Sequence, residues 1–320
     1  GSTVAPLPIP ALESASPWTS DDVLKLQRLP ESIIILGGGP VALELAQFFL
    51  RFGVKTTVIQ RSAHVLKPFD EDMAKPLETS LRQEGMQIFT ETQLIDGGIK
   101  GGRKFITFKH EGKEQTIFAE AVFHGLGRQP NTKGLNLENA GVGHVSRHIP
   151  TNLQMQTKVP HIFAAGDCTG PHEIVHIAIQ QGEIVAHNIL NPTSVKSMDY
   201  RVLVSVVFTD PQVAMVGISE KEAKASGKRV VTADYPFNDH GKSMIMEAVH
   251  GKVKMIADAD SGELLGGACT GPMAGDLIHE VAVAIHQRMT AATFASVPHY
   301  HPTLAEIWTY PAEEIAESIG

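Results

Sequence analysis

Two stretches of the 320-residue sequence carry chemically competent residue types at spacings that would let them act together. One lies near the C-terminus, His299-Tyr300-His301-Pro302-Thr303-Leu304-Ala305-Glu306. An imidazole titrates near neutrality, and a carboxylate five residues on can curl back across a helix start to orient it, which is the wiring of a general acid/base. The same spacing also suits a histidine that fills a helix N-terminus. A zinc site at His299 and His301 would lack nearby cysteine or carboxylate ligands, so no metal set is assigned. The other stretch is Gly37-Gly38-Gly39-Pro40-Val41-Ala42, in which Gly37, Gly39 and Ala42 fit G-x-G-x-x-G/A. The first glycine makes a turn, the second lets a pyrophosphate approach the backbone, and the small third residue lets helix and strand pack closely. A glycine turn that only packs two elements is the alternative.

Three further positions depend on that reading. The acidic residue that would hold a ribose 2′-hydroxyl is due about 20 residues after the glycines, where the sequence has Gln60-Arg61. Without the acid nothing repels a 2′-phosphate, and Arg61 can pair with one, so NADP(H) is favoured slightly over NAD(H); a solvated surface arginine is the bland reading. Gly127-Arg128 follows an apolar run and would let a ligand lie against a strand end, with Arg128 meeting a phosphate or ring edge, or it is a structural loop. Gly166-Asp167 ends another apolar run, where a carboxylate accepts hydrogen bonds from sugar-alcohol hydroxyls, or caps a turn.

The elements that must position these residues are readable from periodicity. Ile33-Ile34-Ile35-Leu36 reads as a parallel strand buried on both faces, and Val41, Leu45, Phe48, Phe49 and Phe52 have helical spacing up to Gly53, a C′ residue. Pro40 at the first helical position costs no hydrogen bond, and the helix N-terminus presents free N–H groups and a positive dipole end. Val54 to Ile59 is the next strand. Asp70 would cap a helix through Leu81, with Pro76 forcing a kink or late start. Met86 to Phe89, Arg103 to His110 and Glu114 to Phe118 read as a small meander, and Ala121 to Gly127 as another strand. Pro160 to Asp167 reads as a buried strand and His172 to Leu190 as a helix. Beyond Tyr200 come strands at Tyr200 to Phe208, Val213 to Val216, Arg229 to Tyr235, Lys252 to Asp258 and Leu264 to Ala268, a capping box at Ser219 to Glu222 and a helix from Asp276 to Arg288. Residues 1–29, rich in Pro, Ala and Ser, read as a connector with little core of its own. Gly1-Ser2 resembles a cloning scar, so a natural chain is expected to begin upstream.

Composition sets limits. Hydrophobic residues make up 42% and charged residues 19%, as in an ordinary soluble globular protein of two or three domains. A net charge of -8 and a pI near 6.0 leave no electrostatic footprint for nucleic acid or an anionic membrane, and nothing approaches a transmembrane length. Cys168 and Cys269 are the two cysteines, too few for a disulfide scaffold, which points to a reducing cytoplasm.

In order, Gly37-x-Gly39-x-x-Ala42-x-Glu44, Gly127-Arg128-x-Pro130-Asn131, Ala165-Gly166-Asp167 and His301-Pro302-Thr303-x-x-Glu306 form a specific set. Over about Pro6 to Glu314 the sequence resembles the FAD-dependent pyridine nucleotide–disulfide oxidoreductases of dihydrolipoamide dehydrogenase, glutathione reductase and mercuric reductase type. The resemblance implies an α/β fold: a connector over 1–29, a Rossmann-type NAD(P) domain over 30–148, the returning part of an FAD domain over 149–196 and an α+β dimer-interface domain over 197–320. It implies that Asp167, after Gly166, binds the FAD ribitol, and that the backbone around His176, Ile177 and Ala178 lies by the flavin. It also implies that Glu44 pairs with a lysine beside the flavin, and that His301, oriented by Glu306, is acid/base at a dithiol of the partner subunit in a homodimer.

The departures are informative. The family's opening FAD glycine turn and C-x4-C disulfide are not in this chain, so it corresponds to the C-terminal two-thirds and by itself is not expected to reduce disulfides. Pro40 stands where many members carry a gating aromatic. There is no vicinal cysteine pair, unlike mercuric reductase, and no acid at position 60, unlike an NAD-specific dihydrolipoamide dehydrogenase. Two other readings remain open at this point: a non-catalytic dimerising module that binds NAD(P), and a flavin NAD(P)H oxidase or quinone reductase without a dithiol.

Overall fold

In the computed structural model, which describes residues 1–144, 147–170 and 172–319, the chain forms two contact-dense units. The smaller comprises Gly1–Pro6 with Gly127–Tyr200, and the larger Leu7–Leu126 with the chain from Arg201 onward.

The larger unit is built first on a four-stranded parallel sheet, ordered Gln87–Phe89, Lys55–Ile59, Ser32–Leu36, Ala121–His124. Each residue of Ser32–Leu36 is buried, because successive side chains enter two different cores. Ile33 and Ile35 pack with Leu43, Ala46 and Phe49 of the Pro40–Arg51 helix. Ile34 and Leu36 pack with Leu12, Ile106, Phe108 and Val122 on the other face. At roughly 1.5–3 kcal/mol per fully buried aliphatic side chain, this strand is the best-anchored element near the glycines. Gly53, at φ +82°, ends the helix in the left-handed conformation.

Three expectations are corrected here. The meander consists of Gln93–Lys100, Arg103–His110 and Lys113–Ala119, and residues 87–89 belong to the parallel sheet instead. The strand Gln93–Lys100 shifts register between Leu94 and Asp96, and a Cβ on Gly97 would lie 2.7 Å from Leu12. Residues 1–29 do enter the core: Leu12 and Ala15 are fully buried, and Trp18 bridges to Phe123 at the sheet edge. The helix Glu71–Gln83 starts well before Pro76, held by Met73, Ala74, Leu77 and Leu81, and the Asp70 side chain does not cap it. Instead, Asp70 accepts from the Glu220 and Lys221 amides at 3.0 and 3.1 Å.

The rest of the larger unit is a five-stranded antiparallel sheet, ordered Val204–Val207, Gln212–Gly217, Leu264–Gly271, Lys252–Asp258, Val230–Pro236. The helices Ala274–His286 and Thr309–Ile319 pack on it around the fully buried Trp308. The strand expected from Tyr200 is shorter, since Tyr200–Val202 is a 3-10 turn. The Ser219 capping box is formed as expected.

In the smaller unit Ser2–Val4 pairs antiparallel with Arg128–Pro130, and one long helix runs from Val175 to Leu190. The expected strand over 160–167 is absent. Its apolar residues Ile162 and Ala164 pack with Val142 and Ile149, and its ladder is reduced to a single bridge, Gln156 to Phe163. Among the described residues no helix is long and apolar enough to cross a membrane, and no three His, Cys, Asp or Glu side chains are grouped to hold a metal ion.

Candidate functional site

The three glycines of the turn have three different environments. Gly37 sits at φ +107°, donates to Ile59 O at 2.9 Å, and an added Cβ would lie 2.3 Å from Gly125 O, so only glycine fits. A Cβ on Gly38 would press on the Gln60 side chain at 3.2–3.3 Å. Gly39, the N-cap at φ -83° and ψ 178°, is different: its backbone suits any residue, and a Cβ there would meet nothing within 4 Å. Neither packing nor conformation requires glycine at 39, so what the missing side chain preserves is open space above the helix start. Pro40 opens the helix and the first intrahelical bond runs from Leu43 N to Gly39 O, leaving the Val41 and Ala42 amides ahead of it. Ala42 packs against Gly125, where a Cβ would approach it to 2.8 Å. A cradle open at Gly39 and lined by free amides fits a diphosphate.

Gln60 turns toward Gly38 and accepts the Arg61 amide at 3.1 Å. Arg61 itself is exposed, and its guanidinium has no partner among the described residues. On the next face of the helix, Glu44, Gln47 and Arg51 grip the turn at 208–210. Glu44 accepts from Phe208 N at 2.8 Å, Gln47 exchanges two bonds with the Asp210 backbone at 2.7 and 2.8 Å, and Arg51 pairs with Asp210 and Glu84. The Glu44 carboxylate therefore already carries one amide.

The smaller unit gathers Arg128, Ser2 and Asp167. Arg128 donates to Ser2 Oγ at 2.7 Å and Ser2 O at 2.8 Å, and Ser2 Oγ donates to Asp167 at 2.8 Å. Arg128 thus spends its guanidinium on Ser2, while Asp167 accepts an alcohol hydroxyl, the same chemistry a sugar alcohol would offer. Gly127 and Gly166 take positive φ, +108° and +83°. The Gly166 amide donates to the buried Gln181 at 2.7 Å, and Gln181 donates to Tyr200 Oη at 2.8 Å. A Cβ on Gly166 would touch Ala178 at 3.5 Å, while His176, two residues earlier in the helix, is exposed. Burial pushes the neighbouring Glu173 carboxyl up, and the Asp167 charge adds to it.

The C-terminal pair has the expected geometry. His301 is exposed, and its Nδ1 lies 3.1 and 3.0 Å from the two oxygens of Glu306, which is 6% exposed. A buried carboxylate on Nδ1 fixes the ring and its tautomer and leaves Nε2 facing outward for proton exchange. His299 makes a separate pair with Glu280 at 2.5 Å. On the inner side of Glu306 stands His240, fully buried, with Nε2 3.4 Å from Oε1. Its burial holds the imidazole below the usual histidine range, against the opposing pull of Glu306. His240, Gln47 and Gln181 have no sequence signal, since each acts on a partner far along the chain.

The family model of the pyridine nucleotide-disulphide oxidoreductases matches residues 1–182, and that family's dimerisation domain matches residues 203–312. The chain belongs to the pyridine nucleotide-disulphide oxidoreductase family. It is similar to a dihydrolipoyl dehydrogenase of Geobacillus stearothermophilus, 33% identical over 295 residues that cover 92% of this chain and 62% of that one. It is likewise similar to a dihydrolipoyl dehydrogenase of Bacillus subtilis strain 168, 34% identical over 310 residues covering 96% and 65%. The crystal structure of LpdA from Mycobacterium tuberculosis superposes with a TM-score of 0.87 at 28% identity, covering 98% of this chain and 68% of that one. The chain thus spans just under two-thirds of the length of these curated relatives. Membership in the oxidoreductase family implies FAD and a pyridine nucleotide as cofactors.

Proposed function

We propose that this chain is the nucleotide-binding and dimerising part of an FAD-dependent NAD(P)H:disulfide oxidoreductase of dihydrolipoamide dehydrogenase type, working as a homodimer through residues 197–320. Residues 30–148 would serve as its NAD(P) domain, 149–196 as part of its FAD domain, and 1–29 as the connector. The relatives named above carry the activity in their names, and the chain's own geometry agrees with it. The bound flavin would relay the reducing equivalents of a nicotinamide to a disulfide.

Gly37, Gly38, Gly39, Pro40 and Val41 would hold the diphosphate, with Gln60 and the unpaired Arg61 around a 2′-phosphate, which favours NADP(H) over NAD(H). Gly127, Arg128, Gly166, Asp167, His176 and Ala178 would line the flavin, and Glu44 would pair with a lysine beside a flavin. Asp167 fits a polyol, because its carboxylate already accepts the Ser2 hydroxyl. The chain's own cysteines suit no relay, since Cys269 is buried with its thiol pushed up by burial, and Cys168 donates to Ala165 O at 3.3 Å. The acceptor would be a disulfide or dithiol substrate. His301 Nε2 would give a proton to the departing thiolate and take it back in the reverse direction, with Glu306 stabilising the imidazolium.

The observation that carries this reading is the exposed His301 ring clamped by a buried carboxylate. In the full-length flavoenzyme, His301→Gln should lower disulfide turnover by about 100-fold or more while leaving flavin reduction by NAD(P)H within about threefold, the range for losing an acid/base group. Unchanged turnover removes His301 from the chemistry.

A further inference from the structure

Glu306 lies between two imidazoles that differ in almost every respect. On its outer side the exposed His301 presents Nδ1 to both carboxylate oxygens at 3.0–3.1 Å. On its inner side the ring of His240 is fully buried, with Nδ1 2.8 Å from Ser243 Oγ and Nε2 3.4 Å from Glu306 Oε1. His240 Nε2 is also a buried nitrogen without a hydrogen-bond partner of good geometry, and among the described residues no other buried side-chain nitrogen or oxygen shares that state. Such an orphan is costly unless it closes on a partner, and the Glu306 carboxylate stands 3.4 Å from it.

The two partners of the ring settle its tautomer. A serine hydroxyl either donates or accepts, whereas an ionised carboxylate only accepts. With the proton on Nδ1, the Nε2 lone pair would face the lone pairs of an anion in a dry site. With the proton on Nε2, the ring turns its donor toward the Glu306 carboxylate, 3.4 Å away, while the Ser243 hydroxyl donates to Nδ1, and no lone pair faces an anion. The other groups around the ring do not compete. Phe237 stands edge-on at 6.5 Å between centroids and Tyr310 at 6.4 Å, while Tyr310 is stacked on Tyr235, whose hydroxyl is spent on Asp239. The positive form of His301 opposes a second charge at His240.

We propose that His240 is a positioning residue for the His301–Glu306 pair. Its neutral ring donates Nε2–H to Glu306, shares that carboxylate's charge, and thereby sets how firmly the carboxylate holds a proton on the outer histidine. This rests on the acid/base reading of His301 given above and adds a third member, ordered Ser243, His240, Glu306, His301. A carboxylate with a donor on each side is a weaker base than one with a single donor. The outer imidazole then releases its proton more readily to a thiolate.

Two measurements test this. Nitrogen-15 NMR of ring-labelled chain, with His240 assigned from the loss of its signals in His240→Gln, should show at neutral pH a neutral ring with hydrogen on Nε2 and a bare Nδ1. A ring protonated on Nδ1, or on both nitrogens, overturns the proposal, and this readout needs neither flavin nor turnover. In the full-length enzyme, His240→Leu should move the pH-profile limb governed by the histidine–glutamate pair upward by about 0.5–1 pH unit, the size expected for losing one hydrogen bond to the charged form. His240→Gln, whose amide nitrogen reaches the Nε2 position, should restore most of the native profile. A profile that does not move in the leucine variant, or that moves equally in both, makes His240 mere packing. Failure of the acid/base reading is separately visible, because His301→Gln would then retain turnover whatever the His240 tautomer.

Discussion

Of the three glycines in the turn, only Gly39 is left without a structural reason, and that makes it the sharpest probe of ligand binding. Alanine at 39 suits φ -83° and ψ 178°, and the extended conformation is the one preferred before Pro40. Folding should gain about 0.4–1 kcal/mol from the stiffer unfolded chain and lose about 0.5 kcal/mol because alanine is a poorer N-cap than glycine. The net is near zero, a change in Tm within about 2 °C for a body of this size. Binding is another matter. The new methyl would occupy the open space above the helix start and hold a diphosphate off the Val41 and Ala42 amides. Losing one charge-assisted bond of about 1.5–3 kcal/mol corresponds to roughly 10–100-fold weaker binding. Gly37→Ala is the control with the opposite signature: φ +107° and the 2.3 Å approach to Gly125 O should cost about 2 kcal/mol or more of stability. Calorimetric titration with NADPH beside thermal unfolding by circular dichroism separates the two. Gly39→Ala that binds within threefold of the native chain, at unchanged Tm, refutes the argument that the cradle is kept open for a diphosphate.

Three other perturbations follow from the geometry. Gln47→Ala strips two bonds from the Asp210 backbone at a residue 5% exposed, and should cost about 1–3 kcal/mol in urea unfolding without changing the Gly37–Ala42 turn. Arg61→Leu should weaken NADPH binding about tenfold or more and leave NADH within twofold, by the same titration, since only the 2′-phosphate needs the guanidinium. The third concerns pH. Lys254 is 4% exposed among Asp70, Asp72 and Glu220; against the opposing effect of burial, Lys252 and Lys254 hold the Asp72 carboxyl below its ordinary value, and hydrogen bonds from Lys224 and Lys254 do the same for Glu220. A depressed carboxyl adds stability above its unfolded value and loses it as pH falls through its folded one, so unfolding temperature should hold near neutrality and decline below about pH 4. Lys254 is raised chiefly by its bonds to these carboxylates, over the opposing effect of burial, so its contribution persists up to about pH 10 and fades beyond. Lys254→Met should cost about 2 kcal/mol at pH 7, because it leaves the carboxylates facing one another, and should flatten the acid decline.

What could be read from the sequence was local. The Ile33–Leu36 run and the glycines after it define strand, turn and helix because apolar continuity and left-handed backbone leave strong marks. The His301 and Glu306 spacing spans one turn and is equally visible. Gln93–Lys100 was hidden because Gly97 exists to admit Leu12, a demand made by a residue about 85 positions earlier. Residues 160–167 carry the composition of a strand but find no ladder, and Asp70 looks like a cap but serves the amides of another helix. His240 and Gln181 act across distances in sequence that no spacing rule covers. Sequence order alone also cannot say that Arg128 is spent on Ser2.

The measurement that bears most directly on the central claim is a crystal structure of this chain grown with NADPH. The diphosphate should be seated over Gly39 against the Val41 and Ala42 amides, with the 2′-phosphate beside Arg61. A nucleotide bound elsewhere, or a glycine turn left bare at saturating NADPH, contradicts it.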